Sequence, residues 1–297
     1  MTVRLFSIFS GVTMVAMLGA AAMLGAAPSF AQERFDSSEA AAQALIDAVA
    51  QHDSARMFAI LGPKAKGILT CGNTTQDREE QDEFARLAGA KHRLEVSRMN
   101  PNRVILAIGD KDWPFPVPIV QANGKWTFDA SETPVEMRAR RIGADELDAV
   151  EISHGYVEAQ MKYASEDRDK DGMLEYAPRL MSTAGHHDGL YWEGESEPLV
   201  PEGFAHADAK PYHGYYFRIL KAQGPDAPGG AHNYAVKEKL IGGFGLVAWP
   251  AEYGVTGVHT FIVNQNGVVY EKDIAPVAGK MTPITRFDPD HSWQPVD

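Results

Sequence analysis

Cysteine is nearly absent from this sequence, which has one, Cys71, among 297 residues. A single cysteine excludes an intramolecular disulfide and any zinc site built from several cysteines. Basic residues are also scarce: 28 Lys and Arg stand against 40 Asp and Glu, and the formal net charge is -12. Because nucleic acids and anionic membranes both attract basic surfaces, this balance argues against a protein that binds either of them.

Short catalytic signatures are missing as well. The chain contains no GxSxG, HExxH or Walker A motif, no GxGxxG followed by an acidic residue, and no Cys–His arrangement. Catalytic groups can be distant in sequence, so an enzyme stays an alternative. The missing motifs favour a protein without catalytic activity, and the ordinary hydrophobic share of 44% indicates a folded globular chain.

Long hydrophobic runs are confined to the N-terminus. Arg4 is the only charged residue of segment 1–31, an apolar run covers 5–27, and small residues occupy the two positions that a signal peptidase reads before Gln32. This pattern predicts a signal peptide over 1–31 and an exported mature chain, periplasmic or secreted, with no membrane span. The alternative is an uncleaved anchor, because a helical run of this length spans a bilayer.

Residues 32–135 change from helical to strand periodicity. Apolar residues recur at helical spacing three times, the first time after Asp36, which has the position of an N-cap. The period then becomes two, and Asn123-Gly124 predicts a hairpin between the last two strands. The predicted elements are a helix ending at His52, a helix over 57–61, a helix containing Phe84, Leu87 and Ala88, and strands at 92–96, 104–108, 117–120 and 125–128.

Three helices followed by an antiparallel meander is the element order of NTF2-like and cystatin-like α+β folds, which this half resembles. The cone of such a fold often holds a small ligand or an active site, and His52 and Asp53 are the two residues that could serve there. A His–Asp pair at the end of a helix is also typical of a helix cap. A cone filled by apolar side chains would favour the cap, and a pocket of titratable side chains would favour an enzyme.

Residues 136–297 are predicted to form a second α+β domain. A short helix over 134–141 is interrupted by Gly143, and a longer amphipathic helix begins at Ala144. Its apolar stripe comprises Leu147, Val150, His154, Val157 and Met161, with Tyr156, Gln160 and Tyr163 beside it. Four β-prone segments follow, at 212–220, 242–250, 260–264 and 268–272, and a hairpin turn, Asn266-Gly267, separates the last two.

The segment after the long helix has the spacing of a calcium loop. Three carboxylates alternate and Gly172 follows them, as in the first half of an EF-hand loop, where alternate side chains converge on one hard cation. The predicted calcium ligands are Asp167, Asp169, Asp171, the carbonyl of Met173 and Glu175. The twelfth position is Pro178 in place of a bidentate Glu, which predicts weak binding. The alternative is a solvated turn, because Asp and Gly are common in turns.

Aromatic residues are concentrated in the strands of the second half. They would either line a face that binds carbohydrate or peptide, or fill the core of a thin sheet, which is the commoner role. These residues are Tyr212, Tyr215, Tyr216, Phe217, Trp249 and Phe261.

A series of segments extends over nearly the whole predicted mature chain: Phe35–Ser37, Asp112–Pro116, Gln160–Ala164, Asp171–Ala177, His213–Phe217, Phe244–Pro250 and Gly257–Tyr270. Taken in order, they resemble the exported bacterial family known as Domain of Unknown Function 2950. That resemblance implies an exported protein and no particular reaction. The second half is also loosely similar to the globular domains of type IV pilins and type II secretion pseudopilins, which combine a long helix, a variable loop and an antiparallel sheet.

These observations predict an exported, non-catalytic interaction protein with a loop that Ca2+ stabilises. Its expected role is accessory to cell-envelope or appendage assembly, and its expected partners are envelope or appendage proteins. Two alternatives stay open. One is a periplasmic enzyme with its site in the N-terminal cone, and the other is a carbohydrate- or peptide-binding module.

Overall fold

The structure, a computed structural model, describes residues 32–65, 74–168, 170, 172–194, 197–237 and 239–296. The predicted signal peptide and Cys71 lie outside the described residues. The chain divides into two compact units, with the division between Met137 and Arg138. It has the predicted α+β class. No helix in the described part is both long enough and apolar enough to cross a membrane.

Unit 1 consists of helices followed by an antiparallel sheet. Its elements are α1 (Ser38–Ala50), α2 (Ser54–Leu61), a 3-10 turn (Pro63–Ala65), α3 (Thr74–Ala90), β1 (His92–Val96), β2 (Arg103–Ile108), β3 (Trp113–Pro114), β4 (Ile119–Ala122) and β5 (Lys125–Phe128). The strand order is β1-β2-β4-β5, and β3 also pairs with β2. The sheet therefore follows chain order, as expected of a meander.

Local chemistry explains where these elements begin. The hydroxyl of Ser37, rather than Asp36, caps α1 by accepting a hydrogen bond from the Ala40 N–H at 3.0 Å. Asn123 and Gly124 both have positive φ, 53° and 74°, the conformation that a two-residue hairpin turn requires. The predicted hairpin between β4 and β5 is thus confirmed.

The interior of unit 1 is mainly apolar in its described residues, where Ser38 and Thr133 are the buried polar ones. The rings of Phe84 and Phe115 meet edge to face with centroids 5.4 Å apart, and Phe115 meets Phe128 at 6.2 Å. Leu45 and Ile60 from the two first helices close the same core and are almost fully buried. Burial of each such side chain stabilises the fold by roughly 1.5–3 kcal/mol.

Unit 2 contains a second antiparallel sheet and most of the longest helix, α4 (Thr133–Tyr163), within which the division between the units falls. The further elements are α5 (Glu202–Ala205), β6 (Tyr215–Leu220), β7 (Ala222–Gln223), β8 (His232–Asn233), β9 (Ala235–Val236), β10 (Lys239–Leu240), β11 (Gly245–Pro250), β12 (His259–Asn264), β13 (Val269–Asp273) and β14 (Gln294–Val296). The main sheet has the order β14-β13-β12-β11-β6, and two short hairpins, β7-β8 and β9-β10, stand beside it.

The predicted break in α4 at Gly143 is wrong, because the helix continues through it. Glycine in a helix costs about 1 kcal/mol relative to alanine but keeps its N–H, so the helix tolerates it. The buried face of α4 also differs from the predicted stripe. Leu147 and Met161 are exposed, with 72% and 44% of their surface accessible, whereas Tyr156 and Gln160 are buried.

Both faces of the main sheet of unit 2 are covered. On one face, Tyr156 of α4 packs in a single core with strand residues such as Phe217 and Phe261. On the opposite face, Val247 packs with Phe287 and Trp293 of the C-terminal segment. Much of the sheet is therefore buried between a helix and a chain segment without regular helix.

Candidate functional sites

The predicted calcium loop lies directly after α4. Its Asp167 accepts a hydrogen bond from the Gly172 N–H at 2.8 Å, and Glu175 lies 3.5 Å from the ammonium of Lys239. Met173 is 43% exposed. The remaining two predicted ligands, Asp169 and Asp171, lie outside the described residues. Elsewhere in the described part, no group of three or more His, Cys, Asp or Glu side chains is placed to hold a metal ion. Calcium binding by this loop stays a prediction.

His52 and Asp53 do not form a dyad. Asp53 caps α2, because its carboxylate accepts a hydrogen bond from the Arg56 N–H at 3.0 Å. His52 turns to α3 instead, where its two ring nitrogens lie 3.1 Å from Gln81 Oε1 and 3.1 Å from Asp82 Oδ1. Together with the apolar interior of unit 1, this arrangement makes the pair structural.

The aromatic residues of the sheet are mainly core residues. Tyr215, Phe217 and Phe261 have 1% or less of their surface exposed. Tyr216 and Trp249 lie on the opposite face, stacked with ring centroids 5.7 Å apart. The guanidinium of Arg218 lies 5.1 Å from the Trp249 ring centre, so the ring faces of this pair are already partly covered.

A cluster that the sequence did not reveal lies near the start of α4 in unit 2. We call it the acid–histidine cluster, and it consists of Asp145, Glu146, Asp148, His213 and His259. One turn of α4 supplies the three carboxylates, the residues just before β6 supply His213, and His259 begins β12. His213 Nδ1 lies 2.6 Å from Asp148 Oδ2, and His259 Nδ1 lies 3.2 Å from Glu146 Oε1.

Glu146 connects α4 to the beginning of β12. Its Oε1 accepts hydrogen bonds from the backbone N–H groups of Val258 at 2.8 Å and His259 at 3.0 Å. Nearby, the Tyr215 hydroxyl donates to the His259 carbonyl at 3.0 Å. A Cβ at Gly257 would collide with this hydroxyl, so only glycine fits there without rearrangement. Burial raises the pKa of Tyr215, which keeps the hydroxyl protonated as a donor.

Asp145 is the member of the cluster whose buried carboxylate oxygen has no hydrogen-bond partner within the described part of the chain. Its Oδ2 is buried, and the Arg141 guanidinium Nε lies 3.5 Å away, too far for a good hydrogen bond. Burial raises the pKa of Asp145 to about 6, an effect that Arg141 only partly offsets. Gly214, at φ 78°, passes so close that a Cβ there would collide with the Asp145 carboxylate.

An imidazole oriented by a carboxylate is suited to proton transfer and to charge pairing near neutral pH. The cluster has two such pairs and a third carboxylate with a raised pKa. Its members are far apart in sequence, 65 residues for His213 and Asp148 and 113 for His259 and Glu146. The only local signal was three acidic residues within one helical turn, which by itself is typical of a solvated helix face.

A second candidate site, the helix-end pocket, opens at the C-terminal end of α4. It is an open pocket of about 640 Å3, and its described lining consists of Lys162, Glu166, Arg168, Trp192, Gly194, Glu197 and Leu199. Among the described residues of this lining, two cationic and two anionic side chains balance each other. A pocket with this balance suits a polar ligand or segment without a large net charge.

Arg168 forms one wall of the helix-end pocket. It donates hydrogen bonds to the carbonyls of Tyr163 at 3.1 Å and Lys162 at 3.3 Å, which caps the C-terminal end of α4. Its guanidinium lies between two rings, 5.3 Å from the centre of Tyr163 and 5.0 Å from that of Trp192. The Trp192 N–H donates to the Gly189 carbonyl at 3.1 Å. This wall is therefore formed before any ligand arrives.

Comparison with known proteins identifies a family for the chain. The model of the family described as "Protein of unknown function (DUF2950)" matches residues 32–296, so the chain belongs to that family and the predicted resemblance is confirmed. No curated protein and no solved structure matches the chain significantly. The NTF2-like and pilin-like resemblances stay predictions.

Proposed function

We propose that this member of the DUF2950 family is an exported, non-catalytic interaction protein that acts as an accessory to envelope or appendage assembly. The observation that supports the proposal is the helix-end pocket. Its described lining combines charged side chains of both signs with the indole of Trp192. Such a lining is suited to binding and orienting a polar segment of a partner.

The predicted calcium loop adjoins this pocket in sequence. Arg168 belongs both to the pocket wall and to the segment from Asp167 to Glu175. We propose that calcium, when bound by the loop, fixes the backbone on which Arg168 stands. The ion would then stabilise a preformed binding surface, as suits a protein outside the cytoplasm, where millimolar calcium is common.

Site-specific photo-crosslinking in cells tests the interaction. A photoreactive amino acid at Glu197, an exposed pocket residue, should give an adduct with a discrete envelope protein. The variant Lys162→Glu should lose that adduct, because it reverses a charge in the pocket lining. The matched control Lys280→Glu, also exposed but outside the pocket, should keep it. If both charge reversals leave the adduct unchanged, or if no adduct forms, the pocket is not the interaction site.

Export is tested separately by mass spectrometry of protein from the cell envelope. The mature chain should begin at Gln32, because the segment 1–31 has the pattern of a cleavable signal peptide. A chain that keeps Met1 and is found in the membrane fraction would contradict cleavage.

A second candidate function is enzymatic, and the raised pKa of Asp145 beside two His–carboxylate pairs favours it. In this case the acid–histidine cluster would catalyse a general acid–base reaction in unit 2, not in the N-terminal cone. The variants His213→Gln and His259→Gln distinguish the two functions. Each variant is expressed in cells that lack the protein. If the protein is an interaction protein, the variants should keep the pocket adduct and restore the wild-type phenotype. If it is an enzyme, they should fail to restore that phenotype although the adduct and the fold remain.

A further inference from the structure

The first strand of unit 1, β1, forms an edge of its sheet. It pairs with β2 in antiparallel register, with Leu94 opposite Leu106, and no other strand in the described part of the chain pairs with it. Val96 is 61% exposed, and His92 and Arg93 are exposed as well. The strand has no proline and no bulge, two of the devices that protect an edge from pairing with another strand.

The backbone groups that point away from β2 can be assigned from the ladder. At its two ends, Ser97 N–H donates to the Arg103 carbonyl at 2.8 Å, and Gly109 N–H donates to the Lys91 carbonyl at 2.8 Å. Residues of an antiparallel ladder alternate between facing the partner strand and facing away. Since Lys91 and Ser97 face β2, the odd-numbered residues between them do so too.

The even-numbered residues His92, Leu94 and Val96 consequently direct their N–H and C=O groups away from β2. None of these six groups has a hydrogen-bond partner within the described part of the chain. They form a row of donors and acceptors over five residues, which is the feature that lets one strand add to another.

The side chains between these groups carry complementary charges. Arg93 and Glu95 lie two residues apart and so on the same face of the strand, on either side of Leu94. Along the strand the basic Arg93 comes before Leu94 and the acidic Glu95 after it, and an antiparallel copy has these charges in the reverse order. A second copy of the same strand, running antiparallel, therefore presents an acid to each base and a base to each acid.

We propose that two copies of this chain associate edge to edge through β1, with a twofold axis at Leu94. In this register Leu94 faces the partner's Leu94, and His92 faces the partner's Val96, so that every outward backbone group is paired. Arg93 faces the partner's Glu95 at non-hydrogen-bonded positions, where side chains across the strands come closest. The twofold axis repeats this ion pair, so the dimer has two.

The present contacts of Arg93 are compatible with this dimer. Its Nε donates to Asp112 at 2.9 Å, which holds the stem of the side chain over the sheet, while a terminal nitrogen contacts Glu95 of the same strand. The Asp112 contact can persist while the terminal nitrogens turn to the partner's Glu95. The dimer thus replaces the two intramolecular Arg93–Glu95 pairs, one in each protomer, by two intermolecular ones.

Charge reversal in the mature full-length chain tests the register. Wild type should sediment as a dimer that dissociates on dilution and at high salt. Arg93→Glu and Glu95→Arg should each be monomeric, because each places like charges opposite one another. The double variant with both changes should dimerise again, because the complementary order is restored. An equimolar mixture of the two single variants should form a heterodimer.

Two controls distinguish the loss of the dimer interface from a folding defect. Arg86→Glu changes the same charge on an exposed face of α3 and should leave the dimer intact. The melting temperature of every variant shows whether unit 1 remains folded. A monomeric wild type at all concentrations, dimeric single variants, or a monomeric double variant with a normal melting temperature would each overturn the proposal. The helix-end pocket is in the other unit, so its variants should not change the sedimentation.

Discussion

Asp145 shows how a single residue can make the protein sensitive to pH. Its carboxylate is only 15% exposed and lacks a good hydrogen bond to its buried oxygen, and burial raises its pKa from 3.8 to about 6. A carboxylate whose pKa rises on folding contributes stability below the unfolded value and loses it as the pH rises through the folded value. At neutral pH, ionised Asp145 therefore lowers the free energy of unfolding, by at most about 3 kcal/mol.

The variant Asp145→Asn removes this titration. We expect its free energy of unfolding, relative to wild type, to increase as the pH rises from about 4 to about 6 and to stay constant above about 7, because only wild type acquires the buried charge. Urea unfolding of both proteins across this pH range measures the difference.

The matched control for this measurement is Asp110→Asn, which changes an exposed carboxylate in a turn of unit 1. Its difference from wild type should not follow the same pH trend. If the two variants behave alike, the burial of Asp145 is not the source of the pH dependence.

At the scale of elements, the predicted calcium loop is the part of unit 2 whose stability should depend on an added ion. Calcium should raise the melting temperature at constant ionic strength, with an affinity on the order of 10⁻⁴–10⁻³ M because the bidentate Glu is missing. Ten times the dissociation constant would stabilise the fold by about 1.4 kcal/mol. Magnesium should do less, since it demands a smaller octahedral shell. Calorimetry with each ion measures both effects.

The double variant Asp169→Ala with Asp171→Ala removes two predicted ligands and some mutual repulsion. It should lose the calcium response and, in chelator, be as stable as wild type or more so. A wild type with no heat of binding and no thermal shift in millimolar calcium would make the loop a solvated turn.

Elements with a local cause could be predicted from the sequence, and those with a distant cause could not. The hairpin at Asn123-Gly124 follows from two residues that accept positive φ. The buried face of α4 was missed because one of its members is polar. Gln160 is fully buried, but its amide bonds both backbone groups of Ala177, at 2.8 and 2.9 Å, and donates to the Tyr156 hydroxyl at 2.9 Å.

The same distinction between local and distant causes applies to the candidate sites. The acid–histidine cluster depends on residues that meet only after the sheet of unit 2 has brought β6 and β12 to α4, so no spacing in the sequence marks it. The His52-Asp53 pair, in contrast, was interpreted as a possible cap because its position at the end of a helical run is a local property, although the structure shows Asp53 capping the helix that follows.

At the scale of the whole molecule, the two units should fold independently. Fragments 32–137 and 138–297 are each expected to be soluble and to unfold cooperatively, because each has its own hydrophobic core. Circular dichroism and thermal unfolding of the two fragments, compared with the full chain, measure this. Two insoluble fragments, together with a single transition for the intact protein, would show that the units depend on each other.

The position of Trp192 gives the helix-end pocket its own optical reporter. The chain has five tryptophans, and this one lines the pocket with its indole held by Gly189 and covered by the Arg168 guanidinium. The emission wavelength of an indole depends on the polarity and charge around it. In a chain whose other four tryptophans are replaced by phenylalanine, the tryptophan emission would therefore come from the pocket alone. Its emission maximum would shift when a ligand displaces water there.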